Sequence, residues 1–135
     1  MSGTSQDLQV LWVTIPGALT TSSVSLNYPV PFAAEVVDVQ GHLGTAATGA
    51  DFHATVKANG SVVATHVLTA GQQNGTEQTV QPGAAAGTNY IFTPYPASTP
   101  VASFNKGDLL QVGVSQVGST VAGSDLTLAI TLNRK

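Results

Sequence analysis

The chain has 135 residues, a formal net charge of −3 and only 8% charged residues, against about 25% in an average soluble domain. Its four basic residues, Lys57, Lys106, Arg134 and Lys135, form no patch, so we expect no binding to nucleic acid. The sequence contains no cysteine, which excludes a disulfide framework. No apolar run reaches the ~20 residues of a membrane helix, so we expect no membrane partner.

The length predicts a single domain. We expect residues 1–7, which are small and polar, to form a flexible N-terminal arm, and residues 8–135 to form the domain. The first ten residues lack the basic and apolar regions of a signal peptide. We therefore expect the chain to stay in the cytosol where it is made, or to leave by a route other than ordinary secretion.

Apolar residues that alternate with polar ones predict the first strand, residues 8–14. Leu8, Val10 and Trp12 share one face of it, and this strand is either part of the core or an arm that docks on a partner. Residues 18–28 alternate only weakly. Pro29 and Pro31 then interrupt any ladder, because proline has no amide hydrogen to donate.

The clearest alternation runs from residue 35 to residue 67 and predicts three strands, at 35–43, 52–58 and 61–67. One face of the first strand carries Val37, Val39, Gly41 and Leu43, and one face of the second carries Phe52, Ala54, Val56 and Ala58. Asn59-Gly60 predicts a two-residue hairpin turn between the second and third strands. Because one face of these strands is apolar, a second sheet must cover it.

The rest of the chain adds shorter strands and two long ones. Residues 69–87 predict a long excursion with one short strand near 76–80. Short strands are predicted at residues 89–95 and 101–104. Two C-terminal strands follow, separated by a turn over residues 118–123. Alternating apolar residues mark these two strands, Leu110, Val112 and Val114 in the first and Leu126, Leu128, Ile130 and Leu132 in the second. About eight strands without a helical period predict an all-β fold, a two-layer antiparallel β-sandwich that is jelly-roll-like, with an Ig-like topology as the alternative.

Catalytic chemistry is not indicated. The sequence has no cysteine nucleophile, GxSxG, HExxH or phosphate-binding loop. Asp51, Asp108 and Asp125 lie at strand starts, where carboxylates usually fix turns. We therefore predict no catalytic residue, no cofactor and no enzymatic activity.

The three histidines are the one candidate for a metal site. A two-residue turn at Asn59-Gly60 would place His53 opposite His66, and a plain hairpin over residues 44–51 would place His42 opposite His53. Such a row of His42, His53 and His66 offers imidazole ligands suited to zinc or nickel. A flat row does not converge on one point, however, so three solvated side chains without metal are the main expectation.

Aromatic residues supply the candidate interface. Tyr90, Phe92 and Tyr95 lie in a segment that is a candidate for sugar stacking or for protein contact, and its prolines lower the entropy lost on binding. We expect these three residues, together with Leu8, Val10 and Trp12, to contact other proteins. The alternative is that the aromatic side chains fill the end of the sandwich.

Two stretches carry a resemblance to a known group of proteins, LGTAATGADFHATVKANGSVV (43–63) and FNKGDLLQVGVSQVGSTVAGSDLTLAITL (104–132). The pattern is Gly-Thr-Ala-x-x-Gly before a strand, then Asn-Gly, and later Gly-Asp followed by Gln-x-Gly-Ser-Thr-x-x-Gly-x-Asp-Leu. It resembles small β-sandwich modules in virion proteins of tailed bacteriophages, which occur as head decoration (cement) proteins and as tail-fibre or receptor-binding modules.

The resemblance implies a non-enzymatic structural protein, often a homotrimer. For a decoration protein it implies binding to the major capsid protein on the outer surface of a virion assembled in the host cytoplasm. A one-domain chain without a fibre repeat favours this interpretation. One alternative is a tail-fibre or baseplate module that binds host-surface carbohydrate or protein. Another is a freestanding sugar-binding domain or an enzyme accessory module.

Overall fold

The computed structural model describes residues 7–74, 78–80, 90–91 and 102–134. These residues form two antiparallel β-sheets packed face to face, and no helix occurs among them. The predicted all-β sandwich is therefore confirmed. Eight of its strands have three or more residues, and two further segments have only two.

Strands are numbered in chain order, and within the described residues sheet 1 has four of them. Their spatial order is β1 (Leu8–Ala18), β10 (Ser124–Arg134), β3 (Ala34–Thr45) and β8 (Ala102–Phe104). Sheet 2 has six, in the order β2 (Tyr28–Pro29), β9 (Leu109–Gln116), β4 (Phe52–Ala58), β5 (Ser61–Leu68), β6 (Gln78–Val80) and β7 (Tyr90–Ile91). β3 pairs with β10 in one sheet and β4 pairs with β9 in the other, a nesting of strand pairs that gives the sandwich its jelly-roll-like character.

The core lies between the sheets and is built from the alternating faces that the sequence predicts. Sheet 2 contributes Phe52, Ala54 and Val56 of β4, all fully buried, with Leu110, Val112 and Val114 of β9. Sheet 1 contributes Leu126, Leu128, Ile130 and Leu132 of β10, and Val39 and Leu43 of β3. These faces pack because each apolar side chain removed from water stabilises the fold by roughly 1.5–3 kcal/mol.

Two loops at one end of the sandwich interlock, and they contain the two glycine-containing motifs of the sequence. Residues 46–51 lead from β3 to β4 and residues 117–123 lead from β9 to β10, so both cross between sheets. The Thr48 amide donates to the Val121 carbonyl at 2.9 Å, and the Thr120 amide donates to the Thr48 carbonyl at 3.0 Å. A side chain at Gly118 would collide with both carbonyl oxygens. The two motifs therefore hold together the two loops that cross between the sheets.

The predicted turn at Asn59-Gly60 is present. Both residues have positive φ, 51° and 86°, as a two-residue turn of the type I′ kind requires. The Asn59 side chain also accepts the Leu109 amide at 2.9 Å, which ties the turn to the start of β9.

The pairing beyond this turn differs from the prediction. Ala58 pairs with Ser61 as expected, but Val56 pairs with Ala64, Ala54 pairs with His66 and His53 pairs with Val67. The expected partners were one residue earlier on β5. An irregularity at this point leaves Val63 as an extra residue, a β-bulge, and each later residue of β5 shifts by one.

The plain hairpin on which the histidine row depends does not form. β3 lies in sheet 1 beside β10, whereas β4 and β5 lie in sheet 2. Leu43 pairs with Leu126 and not with Phe52, because residues 46–51 cross to the other layer. A second register shift in β3 buries Val36, which the alternation placed on the outer face with Gln40 and His42.

Candidate functional site

The histidines do not form the predicted row. His42 lies on the outer face of sheet 1, and His53 lies half-buried in sheet 2. The bulge at Val63 turns His66 inward, where 1% of its surface is exposed. Among the described residues, no three histidine or carboxylate side chains lie close enough to share a metal ion.

His66 is a polar ring enclosed by the apolar core. Neither ring nitrogen has a hydrogen-bond partner, and burial lowers the pKa of His66 to about 4, so the ring is neutral at pH 7. Gly41 of the opposite sheet makes room for it, since an added Cβ would lie 3.0 Å from His66 Cδ2 and from Leu128 Cδ2. Desolvation also lowers the pKa of His53, and the Asp51 carboxylate partly offsets this.

The three aspartates at strand starts hold backbone in place, as predicted. Asp51 Oδ1 accepts the Ala70 amide at 2.8 Å, and Asp125 Oδ1 accepts the Gly17 amide at 2.7 Å. Asp108 Oδ2 accepts the Asn105 amide at 2.9 Å. Each carboxylate is thus engaged in shaping a turn or a strand junction.

β1 carries an apolar stripe on its outer face, which we define as Leu8, Val10 and Trp12. These side chains are 43%, 50% and 66% exposed, while Val13 and Ile15 on the other face are buried. β1 is at the edge of sheet 1, paired only with β10 among the described residues. The first strand was expected to be either part of the core or an arm that docks on a partner. In the structure it is a strand of the sandwich whose Leu8, Val10 and Trp12 face points to solvent.

An apolar groove adjoins the stripe, in the open side between the edges of the two sheets. Its volume is about 240 Å³, and β1, residues 28–32 and β10 line it through Gln9, Val10, Leu11, Tyr28, Pro29, Val30, Pro31, Phe32 and Leu132. The Arg134 guanidinium lies 5.1 Å from the centre of the Phe32 ring and 3.8 Å from the Asp7 carboxylate. Asp7, the described residue of the predicted arm, is thereby held at the rim.

A second depression lies on the outer face of sheet 1, at the other end of the stripe. We call it the Trp12 pocket, with a volume of about 180 Å³ and the lining residues Trp12, Gln40, Gly41, His42, Asn74, Thr127 and Ala129. Trp12, Ala129 and Gln40 form one row across three strands. The small Ala129 leaves a gap between the two larger side chains.

Sequence patterns did not single out Gln40 or Asn74 as binding residues. Asn74 lies in the loop after β5, and no repeating sequence pattern predicts where this loop runs. Phe92 and Tyr95 lie outside the described residues, and of Tyr90 only the backbone, in β7, is described. Their role as interface residues stays a prediction.

The protein is an all-β sandwich that exposes an apolar stripe beside an apolar groove, and a pocket lined by both polar and apolar side chains. No family model matches the chain, and neither the curated proteins nor the solved structures contain a match to it. Within the described residues no helix is long and apolar enough to span a membrane.

Proposed function

We propose that this chain is a structural protein of a tailed-bacteriophage virion, a decoration protein that binds the major capsid protein on the outer surface of the head shell. The observation that carries the proposal is the exposed stripe of Leu8, Val10 and Trp12 beside the apolar groove. The motif resemblance supplies the virion setting, including assembly in the host cytoplasm and association as a homotrimer.

The composition of the surface supports contact with protein. β1 carries no charged residue, and charged residues are depleted at the cores of protein interfaces whereas tryptophan is enriched there. The contact would need neither metal nor cofactor. A non-enzymatic role also agrees with the engagement of Asp51, Asp108 and Asp125 in turns.

The size of the stripe indicates how such a protein would bind. Its exposed side chains present on the order of 300 Å² of apolar surface, similar to functional patches on other proteins. Burying that area contributes roughly 7 kcal/mol at about 25 cal/mol per Å², which association costs of about 4–15 kcal/mol largely offset. Single contacts would therefore be weak, and a symmetric oligomer on a repeating shell would bind through several at once.

Co-sedimentation with purified empty heads tests the proposal. We expect the protein to pellet with heads and Val10→Ser to weaken binding at least tenfold, because Val10 belongs to both the stripe and the groove. Leu26→Ser is the matched control, since Leu26 is 77% exposed but lies outside both surfaces. Light scattering after size exclusion measures the oligomer in parallel.

Absence of head binding would refute a decoration role. Binding to host cells without binding to heads would instead support the alternative, a tail-fibre or baseplate module that recognises host-surface carbohydrate or protein. Equal losses for Val10→Ser and Leu26→Ser would show that the stripe is not the contact.

A further inference from the structure

The Trp12 pocket combines an exposed indole with hydrogen-bonding groups on a rigid sheet. Trp12 and Gln40 are two strands apart, about 10 Å between backbones, and Ala129 between them projects only a methyl group. In the next row, Thr127 pairs with both Thr14 and His42. The result is a shallow floor with an aromatic wall on one side and a polar wall on the other.

The polar wall is held in place by hydrogen bonds. The Leu43 amide donates to the Gln73 carbonyl at 2.7 Å, and Gln73 Nε2 donates to the Gly44 carbonyl at 2.9 Å, so the loop before Asn74 is fixed along β3. His42 Nδ1 lies 2.8 Å from Asn74 Oδ1. A pocket with such fixed walls loses little conformational entropy when a ligand binds.

The same contacts define which polar atoms face a ligand. If Asn74 Oδ1 accepts from His42 Nδ1, then His42 Nε2 is an acceptor and Asn74 Nδ2 has two hydrogens to donate. Gln40 Nε2 donates to Asp38 Oδ2 at 3.2 Å, which leaves Gln40 Oε1 as a further acceptor. Donors and acceptors therefore occur together at the edge of the pocket.

We propose that the Trp12 pocket is a binding site for a neutral saccharide. A pyranose ring has an apolar face of C–H groups, which suits the face of the indole, and a rim of hydroxyls that both donate and accept. Among the described residues no lysine or arginine lines the pocket, and the Asp38 carboxylate, which accepts from Gln40 Nε2, disfavours anionic sugars. A protein segment fits less well, because three of the lining side chains would need buried polar partners.

This site goes beyond the shell contact but shares Trp12 with the stripe, so sugar binding is measured on the free protein. Leu8 and Val10 do not line the Trp12 pocket, and Gln40, His42 and Asn74 do not line the groove. A shallow site for one or two sugar units is expected to bind with a Kd of roughly 1 mM.

Tryptophan fluorescence provides a direct test, because Trp12 is the single tryptophan of the chain. The intact protein is titrated with maltohexaose, cellohexaose, chitohexaose and mannohexaose, and with an acidic probe, polygalacturonic acid oligomers. We expect a saturable shift of the emission to shorter wavelength with at least one neutral oligosaccharide and none with the acidic one. Gln40→Ala and Asn74→Ala should each raise the Kd at least fivefold.

Gln72→Ala is the matched control, since Gln72 is an exposed amide in the same loop that does not line the pocket. Calorimetry with Trp12→Ala completes the set, and it should show loss of binding with an unchanged melting temperature. The proposal is overturned if no neutral oligosaccharide shifts the emission at 20 mM, or if Trp12→Ala still binds. An emission shift that follows protein concentration in the absence of sugar also overturns it, because the pocket would then be a contact between copies.

Discussion

Acidification should destabilise this protein through His66. The ordinary histidine pKa is 6.5, and burial without a hydrogen-bond partner lowers that of His66 to about 4 in the folded state. Below pH 6.5 the unfolded chain takes up a proton that the folded chain excludes, so stability is lost as the pH falls from 6.5 to 4. A difference of about 2.5 pKa units corresponds to roughly 3 kcal/mol.

The measurement is the free energy of unfolding from denaturant titrations at pH 7.5, 5.5 and 4, compared between the wild type and His66→Leu. Leucine fills a similar volume and removes two ring nitrogens that lack partners, so the variant should be at least as stable at pH 7.5. Between pH 7.5 and 4, the wild type should lose about 3 kcal/mol more than the variant.

His53→Gln serves as the control, because His53 is only half-buried and should account for a smaller part of the loss. All other side chains are the same in the wild type and in His66→Leu, so their contributions cancel in the comparison. The same pH dependence in the wild type and in His66→Leu would refute the assignment of His66 to the core.

Three further predictions concern the backbone, each measured by denaturant unfolding. Gly41→Ala should cost about 1–3 kcal/mol by overpacking, and less when combined with His66→Ala, since the added methyl group meets that ring; additive losses would contradict the contact. Gly60→Ala should cost about 1–2 kcal/mol because its φ is +86°, and an unchanged stability would argue against this turn. Asp125 has a φ of +55° and accepts the Gly17 amide, so Asp125→Asn should be tolerated and Asp125→Ala should cost about 1–3 kcal/mol; equal effects would show that neither feature matters.

Much of the fold is predictable because alternation is a local property. The faces of β4, β9 and β10 are buried as the spacing of their apolar residues indicates, and Asn59-Gly60 forms the expected turn. Local sequence does not determine which sheet residues 46–51 lead to. Whether they return within one sheet or cross to the other depends on β10, which pairs with β3 from the far end of the sequence.

The candidate site was less predictable for a related reason. One extra residue at Val63 is enough to move His66 from the surface to the core, and nothing in the composition of β5 marks a bulge. The sequence places Leu8, Val10 and Trp12 on one face, but only the pairing of β1 decides that this face points outward. Asn74 reaches His42 through a loop that carries no repeating pattern.

The strand order has a consequence for how the protein is made. β10 lies between β1 and β3, and β9 lies between β2 and β4, so both layers receive an inner strand from residues 109–134. A nascent chain emerging from the ribosome therefore holds these earlier strands without the neighbours that join them, and each layer becomes continuous only when residues 109–134 arrive. Folding should thus wait until residues 109–134 have been synthesised, and a product terminated before them should be a target for proteases.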